Sequence, residues 1–238
     1  MNYLIYNGVS SASLGIRIQS KNVYSAPKYD SNLTTIPGRN GDLILPNGRY
    51  SNVNISYTCY IPAKSIVDLS DKITAVKNWL YKEPDRYHDL TDSYDTNFKR
   101  KAVFNSKLDI TDEAMKIGVF TLTFSCYPFR YLVSGLEKKT YSKAFSLNNE
   151  FSFTSKPYIR VLGKESGRLI INSNVWQFEK IDGYTECDSE TMNFYKDTIS
   201  KNDTVAGDGF PELKPGANTI SFEGGITSIE IIPRWVSL

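Results

Sequence analysis

Apolar and polar residues alternate through residues 54–61, where Ile55, Tyr57, Cys59 and Ile61 fall on one side and Asn54, Ser56 and Thr58 on the other. That is the period of a half-buried strand. Residues 119–127 repeat it, with Phe120, Leu122, Phe124 and Cys126 sharing a face. Between these strands the period changes. Over residues 65–81, Ile66, Leu69, Ile73, Val76 and Leu80 recur at spacings of 3, 4, 3 and 4, with Asp68, Asp71, Lys72 and Lys77 opposite, which predicts an amphipathic helix. Ser65 with Asp68 three residues on is a cap signal, Asp68 and Lys72 can pair at i,i+4, and Pro84 enforces a stop. The apolar seam admits two readings: it covers one face of the adjacent sheet, or, with Trp79 beside it, it packs against a neighbouring subunit.

Residues 33–50 hold Pro37-Gly38, Asn40-Gly41 and Pro46-Asn47-Gly48 around Leu43-Ile44-Leu45. This density of turn residues predicts a projecting hairpin or looped arm. Tyr127-Pro128-Phe129 reads as the end of a strand, which puts a domain boundary near Ser134-Gly135 and divides the chain into residues 1–133 and 134–238. Short strands are then expected at 151–153, 157–162, 168–172 and 175–181, separated by loops at 163–167 and 172–174, the rhythm of a β-sandwich. Trp176 and Phe178 alternate with Val175, Gln177 and Glu179 and are expected to face the core, since two large aromatics on a solvent face would be adhesive. In the closing stretch, 210–238, a turn at Pro215-Gly216 leads to a strand with Ile220 and Phe222, a two-residue hairpin loop at Gly224-Gly225 and a return strand with Ile229 and Ile231. The expected fold class is mainly β, a sandwich-like first domain with one α-helix and an extended arm followed by a second β-sandwich.

Composition narrows the chemistry. With 40% hydrophobic and 23% charged residues the chain can bury a core, and its net charge of +2 shows no general affinity for polyanions. Residues 1–133 carry 16 Lys+Arg against 12 Asp+Glu and residues 134–238 carry 12 against 14. The aromatic content, 16 Tyr and 12 Phe, favours strands. No apolar run is long enough to span a bilayer and residues 1–11 lack a signal-peptide pattern, so cytosolic synthesis without membrane anchoring is expected. Cys59 and Cys126 lie on apolar stripes and read as core. Cys187 sits between Glu186 and Asp188, whose charges would raise its pKa.

Sites of catalysis are poorly supported. His88 is the sole histidine and has no nucleophile elbow near it, so it reads as a surface or hydrogen-bonded loop residue. Asp89, Asp92 and Asp95 are spaced by three, unlike a calcium loop, and read as solvated turn residues. Glu186, Asp188 and Glu190 would share a strand face, where solvent exposure is the expectation, with a cation or glycoside hydrolysis as the alternatives. The Gly163–Gly167 stretch lacks the spacing of a phosphate loop, and Lys99-Arg100-Lys101 reads as a strand that turns Arg100 away from its two lysine neighbours. No cofactor or metal is expected. Tyr158, Trp176, Phe178 and Tyr184 leave a carbohydrate-binding module as an alternative function.

The segments IPGRNGDLILPNGRY, TCYIPAKSIVDLSDKITAVKNWLY and YHDLTDSYDTNFKRKAVF, with the Pro-Gly-Ala-Asn turn and Pro-Arg-Trp finish, resemble the siphophage distal tail proteins over essentially the whole chain. The resemblance implies a non-enzymatic virion component, a ring-forming first domain and a second, galectin-like or carbohydrate-module-like sandwich facing outward. It implies a homo-oligomeric ring, typically hexameric, at the distal end of the tail, joining the tail tube protein to a tail-tip or tail-associated protein. A receptor-binding protein is a further partner, and DNA would touch the ring only in transit through its lumen. On this reading the candidate self-assembly residues are Ile66, Leu69, Ile73, Val76, Trp79 and Leu80 of the helix and Leu43, Ile44 and Leu45 of the arm.

Overall fold

A computed structural model describes residues 2–238, and the chain divides into two compact units, one running to Arg130 together with Leu238, the other Tyr131–Ser237. The first unit contains β1 (Leu4–Tyr6), β2 (Val9–Ser10), β3 (Arg17–Lys21), β4 (Tyr29–Thr34), β5 (Leu43–Tyr50), β6 (Val53–Pro62), α1 (Ile66–Leu80), β7 (His88–Asp92), β8 (Phe98–Val103), β9 (Ile110–Glu113) and β10 (Ile117–Leu132). Its main sheet runs β2-β1-β7-β8-β10-β6-β3, with β9 on β10. Strands β6 and β10, the two alternating stretches, pair antiparallel from Val53 opposite Cys126 to Pro62 opposite Ile117. Their apolar faces enter one core. Cys59 and Cys126 belong to it, and burial pushes both thiols up to about 12.

Helix α1 begins where the cap predicts. The Ser65 hydroxyl accepts the Asp68 N–H at 3.2 Å, the Asp68 carboxylate accepts the Lys64 N–H at 2.8 Å, and Lys72 Nζ reaches the same carboxylate at 3.0 Å. These contacts hold the Asp68 carboxyl below its ordinary range, the Lys64 N–H foremost. Strand β8 separates its basic residues as expected: Arg100 turns inward and donates from Nη2 to the Val23 carbonyl at 3.1 Å, while Lys99 pairs with Asp89 at 3.0 Å. Strand β10 does not stop at Pro128. The ladder with β6 ends at Cys126, so the missing N–H of Pro128 removes nothing from that pairing and the strand continues.

The second unit opens with a 3-10 turn, Val133–Leu136, then β11 (Lys139–Tyr141), β12 (Phe145–Asn149), β13 (Tyr158–Ile171), β14 (Asn174–Phe178), β15 (Gly183–Asp188), β16 (Asn193–Lys196), β17 (Ile199–Ser200), β18 (Val205–Ala206), β19 (Gly216–Ile232) and β20 (Val236–Ser237). The strand order is β11-β19-β13-β15-β16-β17, with β12 also on β19, β14 on β13 and β18 on β14. Two long strands therefore organise the unit. β13 and β19 pair from Tyr158 opposite Ile232 to Ile171 opposite Ile220, and the register breaks at their middle, where residues 164–166 stand opposite Gly225 alone. One half of each strand pairs with β11 and β15, the other with β12 and β14. Buried residues of both halves, such as Ile159, Leu169, Ile220 and Ile229, meet in one core, so the sheet folds over on itself at the break to make two layers.

This architecture corrects three expectations. Gly224-Gly225 closes no hairpin, residues 163–167 are no loop, and both are the bulged centre of continuous strands. Residues 151–153 form bends instead of a strand. Glycine is required at the bulge because the backbones touch: a Cβ on Gly163 would lie 2.2 Å from the Gly225 carbonyl oxygen, and one on Gly224 would lie 2.8 Å from that of Ser166. Trp176 and Phe178 are buried as expected. At the base of the unit its two ends lie together, with the Leu132 N–H donating to the Trp235 carbonyl at 2.9 Å and the Arg234 N–H to that of Gly135 at 2.8 Å.

Candidate assembly surfaces

Strands β4 and β5 form a two-stranded sheet of their own, joined by the loop 35–42. The register places Leu33 opposite Ile44, with Asn32 opposite Leu45 and Thr34 opposite Leu43 on the alternate face. Leu33 is 65% exposed, Ile44 61% and Leu45 46%, so both faces of the hairpin present aliphatic side chains to solvent. An isolated hairpin is marginal in water, and this one is held by a few contacts. Arg49 pairs with Asp30 at 3.1 Å, Asn47 donates to Asp30 at 3.0 Å, and Thr35 donates to Asp42 at 2.9 Å across the loop. At its base Tyr50 packs edge-on against both Tyr29 and Phe129, with ring centroids 5.1 and 5.6 Å away.

The helix candidates divide differently. Leu69, Val76, Trp79 and Leu80 are buried in the core of the first unit, and Ile73 packs against that core. Trp79 also donates its indole N–H to the Tyr6 carbonyl at 2.9 Å. The reading that sent this seam to a neighbouring subunit is thereby corrected for Leu69, Val76, Trp79 and Leu80: side chains already covered by β6 and its neighbours have little apolar area left to give to a partner. Of the helix candidates only Ile66 stands out in solvent, at 52% exposure. Two further exposed residues were not singled out by the sequence, Val67 beside Ile66 and Leu33 in the arm. Leu33 was within reach, because strands closing on the Gly-rich loop must set it against the 43–45 triplet.

The expected chemical sites resolve into structure. His88 lies on β7, its Nε2 3.1 Å from the Glu83 carbonyl and its ring edge-on to Tyr6, so it is a packed strand residue and not a surface loop. Asp92 accepts the Tyr57 hydroxyl at 2.7 Å and the backbone N–H groups of Tyr94 and Asp95, while Asp95 pairs with Arg130 at 2.6 Å. Neither is a free turn carboxylate. The acidic cluster of the second unit is likewise engaged, not simply solvated. Asp188 takes a two-pronged contact from Arg234 at 2.6 and 3.1 Å, Glu190 accepts the Tyr131 hydroxyl at 2.7 Å, and Glu186 accepts that of Tyr158. Among the described residues no group of three His, Cys, Asp or Glu side chains is gathered to hold a metal ion. Burial, more than the flanking carboxylates, pushes the Cys187 thiol up to about 12.

Burial opposes ionisation of Asp188, but Arg234 together with the backbone N–H groups of Glu190 and Thr191 outweighs it and holds the carboxyl below its ordinary value of 3.8. The carboxylate therefore stays ionised to lower pH in the folded chain than in the unfolded one. Its contribution is complete above that value and is lost as pH falls through the lower, folded value. Chemical unfolding followed from pH 6 down to about pH 2 should show this loss, and Arg234→Met should reduce its slope. An unchanged slope in the variant would remove the pair from the account.

The two units define a mainly β protein of two modules, a sheet with a covering helix and detached hairpin, then a folded-over sheet. Residues 11–126, nearly all of the first unit, match the phage tail protein RIFT-related domain. By structure the whole chain is similar to the SPP1 Dit protein, described as a paradigm of the hub adsorption apparatus of phages infecting Gram-positive bacteria, with a TM-score of 0.72 at 14% identity over 97% of each chain. Two structures of the phage p2 baseplate in its activated conformation, with calcium and with strontium, align at TM-scores of 0.48 and 0.44 and 8% identity, covering 97% of this chain and 97% and 98% of theirs. No curated protein matches the chain by sequence.

Proposed function

We propose that the chain is a structural, non-enzymatic subunit of a ring at the distal end of a siphophage tail. The first unit builds the ring, most simply a hexamer, between the tail tube protein and the tail-tip proteins, and the second unit offers docking surface to adsorption components. The observation that carries this reading is the hairpin β4–β5, whose two faces expose Leu33, Leu43, Ile44 and Leu45 and whose outer edges pair with no further strand of the described chain. Such an element gains stability by lying on another subunit, where its aliphatic residues lose water and its edges can be covered. A closed ring supplies the same neighbour to every copy. The carbohydrate-module alternative is weakened because two of its four aromatics, Trp176 and Phe178, are buried, Trp176 with its indole N–H on the Gly209 carbonyl at 3.0 Å.

Sedimentation of the full chain over a wide concentration range, alone and with a tail tube protein, tests the proposal. Closed oligomers are expected. The double variant Leu33→Asp/Ile44→Asp is expected to remain folded and to be monomeric, because both side chains lie outside the core. A wild-type chain that stays monomeric under every condition overturns the reading, as does a variant that assembles normally.

A further inference from the structure

Three Asn-Gly pairs occur in the chain, Asn7-Gly8, Asn40-Gly41 and Asn47-Gly48, and the structure treats them differently. At Asn7 the amide donates to Glu83 Oε2 at 3.4 Å, and residue and glycine form the tight turn with φ of 48° and 75° that sets Tyr6 opposite Val9. At Asn47 the amide donates to Asp30 Oδ1 at 3.0 Å, within the strand β5. Asn40 has neither restraint. It is exposed, lies in bends of the loop 35–42 outside any strand, and its side chain has no partner among the described residues.

We infer that Asn40 is a site of spontaneous backbone-assisted deamidation, and that it is the one of the three pairs open to this chemistry in the folded protein. The Gly41 amide nitrogen, unshielded because its residue has no Cβ, gives up its proton and bonds to the Asn40 side-chain carbonyl carbon. The Cγ–Nδ2 bond breaks, and the nitrogen departs as ammonia with that proton. Water then opens the five-membered imide at either carbonyl, leaving aspartate or isoaspartate. No electrons are transferred and only water is consumed. Attack requires the asparagine side chain to rotate onto the following nitrogen. Asn47 and Asn7 are kept from that rotation by Asp30 and Glu83, whereas Asn40 is free to make it. The product places a negative charge between Arg39 and Asp42, in the loop of the hairpin, and where it forms as isoaspartate it adds a carbon to the main chain there. Its meaning for assembly rests on the ring proposal, but the chemistry does not.

The full-length protein, incubated at mildly alkaline pH and sampled over weeks, is digested and mapped by mass spectrometry for the exchange of amide for carboxyl. Conversion at Asn40 is expected to run several-fold faster than at Asn7 or Asn47 and to quicken with pH. The variant Asp30→Ala, by releasing Asn47, is expected to raise conversion at that position towards the Asn40 rate while leaving Asn40 unchanged. Equal rates at the three sites, an intact Asn40 peptide, or an Asn47 rate indifferent to Asp30→Ala would each overturn the inference. Circular dichroism on the same samples establishes that the chain is folded throughout. Monomeric and assembled fractions are mapped separately, so failure here, read on the monomer, and failure of the ring proposal remain separate results.

Discussion

Gly163→Val is expected to destabilise the second unit by about 3 kcal/mol or more, because the new side chain would have to displace backbone and not a flexible neighbour. The Cβ alone would lie 2.2 Å from the Gly225 carbonyl oxygen and 3.0 Å from Ile181 Cδ1. Neither strand can retreat without opening the pairing on which both layers hang. For a unit of this size the change amounts to a fall in melting temperature of more than about 10 °C. Scanning calorimetry of the full chain, with Gly209→Val as a control whose Cβ would meet nothing within 4 Å, measures it. The control carries its own strain from a φ of +66°, so the comparison understates the difference. A Gly163→Val protein melting with the wild type would show that the close approach is not real.

Leu69→Asp is expected to cost about 4 kcal/mol or more, through the lost apolar contacts and the uncompensated burial of a carboxylate. Ile66→Asp, one turn earlier on the same helix and half exposed, should alter stability by no more than about 0.5 kcal/mol. Denaturant unfolding of the two variants separates the two possible fates of the seam. If Leu69→Asp gave a soluble protein of wild-type stability, the seam would not belong to the subunit's own core. If Ile66→Asp unfolded the chain, the exposed end of the helix would have been misplaced.

Much of this was legible locally. The spacing of Ile66 to Leu80, the Ser65 cap and the turn dipeptides around Leu43-Ile44-Leu45 are signals carried within a few residues, and they gave a helix and an arm where a helix and a hairpin stand. The alternation around Cys59 and Cys126 likewise identified two core strands, though not that they pair with each other. Failure came where the deciding partner is remote in sequence. Gly224-Gly225 has the composition of a hairpin loop, and nothing near it reveals that Gly163 and Gly167 lie across the ladder. The carboxylates at 186–190 read as solvated because Arg234 and Tyr131 arrive from other parts of the chain. The helix seam stayed open between two readings for a different reason: an apolar stripe states that something covers it and is silent on whether the cover is the same chain.

The meeting of Leu132 with Trp235 and of Gly135 with Arg234 makes the second unit a module with a single doorway. Chain enters and leaves through adjacent backbone, so a segment spliced between those points, or a short linker closing them while new ends are cut in an exposed turn such as 201–204, need not cross the core. A pull applied between entrance and exit would load these few hydrogen bonds one after another, like a zip, before it reached the long ladder of β13 and β19. The unit is thus laid out so that its exchange as a cassette would leave its two layers uncut.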